Sequence, residues 1–201
     1  VSTDGHKLSK IEHDQTNSLI EKIIIPTKFL KLLQSFLIDN NNTDIIISEN
    51  HVQAYFGNIK LSSRLINDQY PDYQKVIPKN NENEIVVNTQ EFINSLKRVS
   101  VFSNKKTKQA VLEIKDNKIL IKAEDTEIAA SAKEIITCSQ AGPDDKIIIA
   151  FNGDYLKEIL EKTKAEETLL SIKDSLSATL ILPKENTPKN KLSLLMPIRL
   201  N

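Results

Sequence analysis

Residues 84–92 read Glu84-Ile85-Val86-Val87-Asn88-Thr89-Gln90-Glu91-Phe92. A run of β-branched residues, suited to a strand, meets Asn88, which with Glu91 three positions on forms a capping box with an asparagine cap. Apolar residues then recur at helical spacing: Phe92, Ile93, Leu96 and Val99. The stretch predicts a strand that runs straight into an amphipathic helix. The same compound pattern begins at Lys22 (Lys22-Ile23-Ile24-Ile25-Pro26-Thr27-Lys28-Phe29-Leu30) and at Lys146 (Lys146-Ile147-Ile148-Ile149-Ala150-Phe151-Asn152-Gly153-Asp154-Tyr155-Leu156). The starts at 22, 84 and 146 are spaced by 62 residues each time (84 − 22 and 146 − 84). Equal spacing of a compound pattern marks an internal repeat. Pro26 suits a first helical turn, and Asn152 suits a cap. The first helix then carries Phe29, Leu30, Leu32, Leu33, Phe36 and Leu37, and the third Tyr155, Leu156, Ile159 and Leu160.

Three short strands of period-two character follow each helix. In the first copy they are 44–48, 52–56 and 59–65; in the second, 110–115, 118–123 and 127–136; in the third, 168–172, 177–182 and 192–196. Turn residues separate them, among them Gly57-Asn58, Asp116-Asn117, Asp174-Ser175 and the polar loop 183–191. The repeating unit is β-α-β-β-β, used three times. Residues 1–21 hold no complete fourth copy and read as the last strand of a preceding one. Polar stretches 67–83 and 139–145, the latter with Gly142-Pro143, read as connectors. Two copies make one α+β domain of two sheets and two helices. The expected division is therefore 1–78, an incomplete domain, and 79–201, a complete one.

Composition bounds the function. The chain has 201 residues, with 27 Lys+Arg against 27 Asp+Glu, so its formal net charge is zero. That balance argues against a protein that grips nucleic acid by bulk positive charge, while leaving room for local basic faces. A hydrophobic content of 39% is that of a folded globule. The single cysteine, Cys138, excludes an intrachain disulfide framework and points to a reducing, cytoplasmic setting. No apolar run approaches the ~18 residues of a membrane span, and the polar start does not resemble a signal peptide, so no membrane association is expected. The chain lacks an initial methionine, which reads as a trimmed form or fragment. Four glycines leave little room for glycine-built phosphate loops.

No catalytic constellation emerges. His6, His13 and His51 form no spaced pair of ligands, and Cys138 sits in an apolar strand with no histidine partner evident in the sequence. Asp144-Asp145 and Glu166-Glu167 read as solvated loop carboxylates, and Asp4-Gly5 as a turn. The expected catalytic residues, metal ligands and cofactors are none. The wet helix faces carry Lys28 and Lys31, then Lys97 and Arg98, then Lys157, Lys162 and Lys164, with Glu158 and Glu161 among the last. On one helix this is an ordinary solvated face; repeated, it is a line of cations able to track a phosphate backbone without reading bases.

Three further stretches carry a resemblance. They are Thr3-Asp4-Gly5-His6-Lys7-Leu8, Tyr70-Pro71-Asp72-Tyr73-Gln74-Lys75-Val76-Ile77-Pro78 and Leu195-Met196-Pro197-Ile198-Arg199-Leu200. They resemble the TDGHRL, FPDYxxVxP and MPMRL signatures of the bacterial DNA polymerase III beta subunit family, the sliding clamps. Their order, their spacing and the repeat agree with that family over the whole chain. The resemblance implies the DNA clamp fold, with helices on the inner face and sheets outside, and places this chain at the C-terminal part of a six-repeat, three-domain protein.

It further implies a non-enzymatic processivity factor: a head-to-tail homodimer that encircles duplex DNA without sequence preference. Such a ring tethers the replicative DNA polymerase, the clamp loader and repair proteins. These partners dock through short linear peptides, of the Gln-Leu-x-Leu-Phe type, in a pocket between the middle and last domains. The resemblance assigns that pocket to Thr3, Gly5, His6, Lys7 and Leu8; to Pro71, Lys75 and Val76; to Asn152 and Tyr155; to Leu176 and Ala178; and to Leu194, Leu195, Met196, Pro197, Ile198 and Arg199. DNA-facing positions are Lys28, Lys31, Lys97, Arg98, Lys157 and Lys162, and the ring interface maps to Val101 and Phe102. The chain departs from the family pattern at Lys7, where arginine is usual, at Ile198, where methionine is usual, and at Asn201, which extends the tail. An unrelated α+β binding domain or enzyme with a coincidental repeat is the competing reading.

Overall fold

The computed structural model describes residues 1–13, 22–37, 43–142, 146–184 and 191–200. In chain order the elements are β1 (Ser2–Thr3), β2 (Lys7–Ile11), α1 (Thr27–Leu37), β3 (Asp44–Ile47), β4 (His51–Phe56), β5 (Ile59–Arg64), a 3₁₀ turn (Tyr73–Val76), β6 (Asn83–Asn88), α2 (Thr89–Ser100), β7 (Gln109–Lys115), β8 (Lys118–Asp125), β9 (Ala130–Thr137), β10 (Ser139–Ala141), β11 (Ile147–Asn152), α3 (Gly153–Thr163), β12 (Glu167–Ile172), β13 (Thr179–Pro183) and β14 (Lys191–Leu195). The fold is α+β, as the repeat predicts. Pro143, Asp144, Asp145, most of the 183–191 loop and Asn201 lie outside the described residues.

The two helix starts predicted from asparagine caps form as the chemistry requires. Asn88 Oδ1 accepts from the Glu91 amide at 2.9 Å. Asn152 Oδ1 accepts from the Asp154 and Tyr155 amides at 3.0 and 3.2 Å. Each cap satisfies amides that the first helical turn leaves without partners.

The chain forms two compact units, residues 1–14 with 73–201, and residues 15–72. Residues 1–14 group with 73–201 because β2 pairs with β14: Leu8 lies opposite Leu194 and Lys7 opposite Leu195. The larger unit holds a seven-stranded sheet, β1-β2-β14-β13-β12-β6-β10, and a four-stranded sheet, β11-β7-β8-β9. The leading strands of the two copies are exchanged. β6, which opens the second copy, pairs with β12 of the third, and β11, which opens the third, pairs with β7 of the second. Neither copy completes its sheet alone. Helices α2 and α3 pack together and against strands of both sheets. One continuous core results, containing Ile85, Phe92, Leu96, Leu112, Ile121, Phe151, Leu156, Leu160 and Leu195.

The smaller unit is α1 packed on the sheet β3-β4-β5. Its core is Phe29, Leu33, Val52, Ala54 and Phe56, with Phe36 stacked on Phe56 at a ring separation of 5.4 Å. Leu30, Leu32 and Leu37 are exposed, so the apolar face of α1 is wider than the surface it covers among the described residues.

Three expected elements differ. Residues 22–26 form no strand: Ile24 accepts one backbone bond, from Ile66 at 3.0 Å, and α1 follows at once. A strand needs a ladder, and the partner that β6 and β11 find in the other copy is not among the described residues. The strand expected from residue 127 starts at Ala130, because Asp125 accepts from the Glu127 amide and Ala129 takes φ 50°, closing a turn first. The expected connector 139–145 contains β10, which adds to the edge of β6.

Candidate functional site

The outer edge region of the seven-stranded sheet carries a second, smaller apolar cluster. Strand alternation sends Leu195 inward to the helix core and Leu194 to the opposite face. There Leu194 meets Leu8, its partner across the ladder, and Ala178 just before β13. Tyr73, Ile77, Leu180 and Leu192 pack against this trio, so the 3₁₀ turn that carries Lys75 and Val76 is seated on it. The trio itself is buried. Next to its members and supports in the chain are exposed apolar side chains: Leu176, two residues before Ala178 (63% exposed), Val76, beside Ile77 (52%), and Met196, two residues after Leu194 (39%). A buried apolar floor with exposed apolar side chains on the segments that carry it is the character of an interaction site. Leu176 and Arg199, with Ser175 and Leu200, also line a cleft of about 420 Å³.

Local hydrogen bonds fix the two sides of this region. In the β1–β2 turn the Asp4 carboxylate accepts from the His6 and Lys7 amides at 3.0 and 2.9 Å, and Gly5 takes φ 86°, a conformation open to glycine without strain. Thr3 Oγ1 donates to the Lys7 carbonyl at 2.9 Å and accepts from the Gly5 amide at 3.2 Å. Burial alone pushes the Asp4 carboxyl up, but the two amides and the charges of Lys7 and His6 bring it below its ordinary range. The Met196 amide donates to the His6 carbonyl at 2.9 Å, and the Ile198 amide to the Ala150 carbonyl at 2.7 Å. The tail is thereby tied both to the hairpin and to the strand that leads into α3. From that helix start Tyr155 approaches His6, with ring centres 6.4 Å apart, and Lys7 Nζ lies 4.2 Å above the Tyr155 ring. On the far side Asp174 holds the Leu176 loop. It accepts from the Leu176 and Ser177 amides at 2.8 and 2.6 Å and from the Ser177 hydroxyl at 2.8 Å, and these bonds, the Leu176 amide foremost, lower its pKa.

Of the expected pocket residues, all but Pro71 belong to the larger unit; Pro71 is an exposed residue of the smaller one. Leu8, Ala178 and Leu194 form the floor. Thr3, Gly5, His6, Lys7, Val76, Asn152, Tyr155, Leu176, Met196, Pro197, Ile198 and Arg199 keep exposed or half-exposed surface, as does Lys75. Leu195 is the exception: it is 0% exposed and lies within the main core. Sequence reading missed Tyr73, Ile77, Leu180 and Leu192 as supports of the floor. The period-two pattern of β14, which aligns Leu192 with Leu194, was the signal for one of them.

The expected DNA-facing cations divide in two. Lys97 pairs with Glu161 at 3.0 Å and Lys157 with Asp154 at 3.2 Å, while Arg98 Nε donates to Glu134 at 3.0 Å. Lys28, Lys31 and Lys162 have no carboxylate partner among the described residues. Val101 and Phe102, past the end of α2, are exposed, Val101 at 76%. Cys138 is half-buried against the core, and burial pushes its thiol up to about 11, away from the thiolate a nucleophile needs. Among the described residues no group of three His, Cys, Asp or Glu side chains is placed to hold a metal ion, and no helix is long and apolar enough to cross a membrane. A larger cleft, about 640 Å³, lies at Asn104, Gln109, Lys122 and Thr126 and contains none of the expected site residues.

Comparison with known proteins places the chain in a family. The profile of the DNA polymerase III beta subunit, C-terminal domain, matches residues 74–199, and that of its central domain matches residues 1–72. The beta sliding clamp of Treponema pallidum is 31% identical over 193 residues, covering 93% of this chain and 51% of the relative. That of Escherichia coli K12 is 27% identical over 202 residues, covering 100% and 54%. Among solved structures, the DNA polymerase III subunit beta from Pseudomonas aeruginosa superposes with a TM-score of 0.91 at 26% identity, covering 100% of this chain and 54% of the other. The sliding clamp of Bartonella birtlesii bound to griselimycin gives 0.90 at 27%, covering 99% and 53%. The chain spans about half the length of the curated relatives it matches. Matching profiles along the chain, and not the repeat alone, remove the reading of a coincidental pattern: this chain belongs to the DNA polymerase III beta subunit family.

Proposed function

We propose that this chain is the peptide-docking portion of a DNA sliding clamp, a non-catalytic, cytoplasmic processivity factor of the replicative polymerase. The observation that carries the reading is the buried trio Leu8, Ala178 and Leu194 with Val76, Leu176 and Met196 exposed on the segments that carry it. Such a surface takes the apolar side chains of a short linear peptide, and Met196 supplies an adaptable wall. His6 and Arg199 supply polar groups at its margin, and Asn152 acts through its cap on α3. The partners are the replicative polymerase, the clamp loader and repair proteins, each through such a peptide. In the full-length protein two chains close head to tail around duplex DNA, with Val101 and Phe102 in the ring contact. Lys28, Lys31, Lys97, Arg98, Lys157 and Lys162 face the phosphates. Half of these cations being paired with carboxylates suits a ring that slides rather than grips.

Calorimetric titration with a Gln-Leu-x-Leu-Phe peptide tests the reading. The expected result is a Kd of about micromolar strength, lost when both leucines and the phenylalanine are replaced by alanine. No heat with the intact peptide at millimolar concentration, or equal heat with the alanine version, overturns it.

A further inference from the structure

The Lys7 side chain leaves the hairpin and crosses to α3. Its Nζ stands 2.6 Å from Glu158 Oε2, 3.9 Å from Asp4 Oδ2 and 4.2 Å from the Tyr155 ring centre. Tyr155 and Glu158 are three residues apart on the helix, hence neighbours on one face. A single ammonium therefore spans both, resting on the ring and bonded to the acid one turn on. The same hairpin holds the tail, since the carbonyl of His6 accepts from the Met196 amide. Hairpin, helix and tail, the three elements around the apolar floor, thus meet at Lys7.

We propose that Glu158 is a positioning residue of the docking site: by holding Lys7 over the ring, it fixes the Tyr155 side chain and ties the hairpin to α3. Glu158 is not among the residues that the signature stretches point to. The inference rests on the peptide-docking reading. Its physical basis is geometric. The Lys7 side chain is 25% exposed and that of Glu158 is 54% exposed, so Glu158 stays in contact with solvent. A strut of this kind organises the ring before the peptide arrives, and the cost of ordering it is met in folding rather than in binding. Because one partner is solvated, the strut is sensitive to salt. The ammonium suits both contacts at once: it is a compact point charge on a flexible stem, which an arginine fork would meet in a different geometry.

The test uses the chain as it is, with Glu158→Gln, Lys7→Met and the double variant, titrated with the same pentapeptide at about 0.05 M and about 1 M salt. Glu158→Gln and Lys7→Met are each expected to weaken binding about threefold at low salt. The double variant should be no weaker than the worse single, since both remove one contact. The Glu158→Gln deficit should vanish at high salt. Tyr155 ring resonances of the peptide-free protein should move in both single variants. Wild-type affinity in Glu158→Gln, or a deficit that persists at high salt, overturns this inference while leaving the docking reading intact. Absence of binding by the wild-type chain overturns both.

Discussion

Removing the cap at Asn152 separates docking from stability, because the repeat supplies its own control. Asn152 and Asn88 occupy equivalent places in their copies and make the same kind of bond. Asn88 Oδ1 accepts from the Glu91 amide at 2.9 Å, and Asn152 Oδ1 from the Asp154 and Tyr155 amides at 3.0 and 3.2 Å. Alanine at either place removes a cap contribution of about 1 kcal/mol. For a unit of this size that lowers Tm by roughly 2–4 °C in both variants. The consequences for binding differ. The amides released in Asn152→Ala belong to Asp154 and Tyr155, and the Tyr155 ring stands beside His6. A frayed first turn of α3 must be re-formed when a peptide binds, so up to about 1 kcal/mol passes to the affinity, about fivefold in Kd. Glu91 lies on α2, which carries none of the expected pocket residues, and Asn88→Ala should bind normally. Thermal unfolding and calorimetry on the two variants decide the matter. Equal loss of stability with Kd raised only in Asn152→Ala is expected. Equal Kd values in both variants refute the reasoning that α3's first turn is part of the site.

Three other outcomes follow from the same structure. Burial pushes the Cys138 thiol up to about 11, so its alkylation rate should still be climbing above about pH 10; a plateau near pH 9 contradicts that burial. Asp174 is held below its ordinary value of 3.8 by the Leu176 amide first, then by the Ser177 hydroxyl and amide. Its contribution to the loop is therefore complete above that value and lost as pH falls through the lower folded one. An NMR titration of the Leu176 amide should show a midpoint below 3.8, and a midpoint above it refutes the assignment. Linear duplex DNA should bind this chain weakly and with strong salt dependence in fluorescence anisotropy, since acids pair with Lys97, Arg98 and Lys157; nanomolar binding at about 0.15 M salt contradicts a topological mode of holding DNA.

What the sequence revealed of the fold was set by locality. Asn88 and Asn152 act on amides two or three residues away, so their helices were readable from adjacent letters. The exchange of β6 and β11 between copies was not, because the 62-residue repeat shows that the copies are alike and carries no information on which sheet each leading strand joins. The same non-locality explains the missing strand at 22–26, whose β-branched composition suits a ladder but cannot supply one. At the site, the Asp4-Gly5 turn was readable from turn chemistry. The opposite fates of Leu194 and Leu195 were half readable: alternation requires that they face opposite sides, while only the pairing of β14 with β2 and β13 decides which side holds the core. The Lys7–Glu158 contact joins residues 151 positions apart and had no signal in the sequence.

The central claim is that Val76, Leu176 and Met196 surround a floor that receives a peptide. Methyl NMR of the chain titrated with the Gln-Leu-x-Leu-Phe peptide tests it most directly. Saturable shifts at the Met196, Leu176, Val76 and Ala178 methyls are predicted, with the core methyls of Leu112 and Ile121 unmoved, as are the methyls of Val111, which also lines the larger cleft. Shifts confined to Val111 and its neighbours, or no shift at Met196 under saturating peptide, would contradict the account.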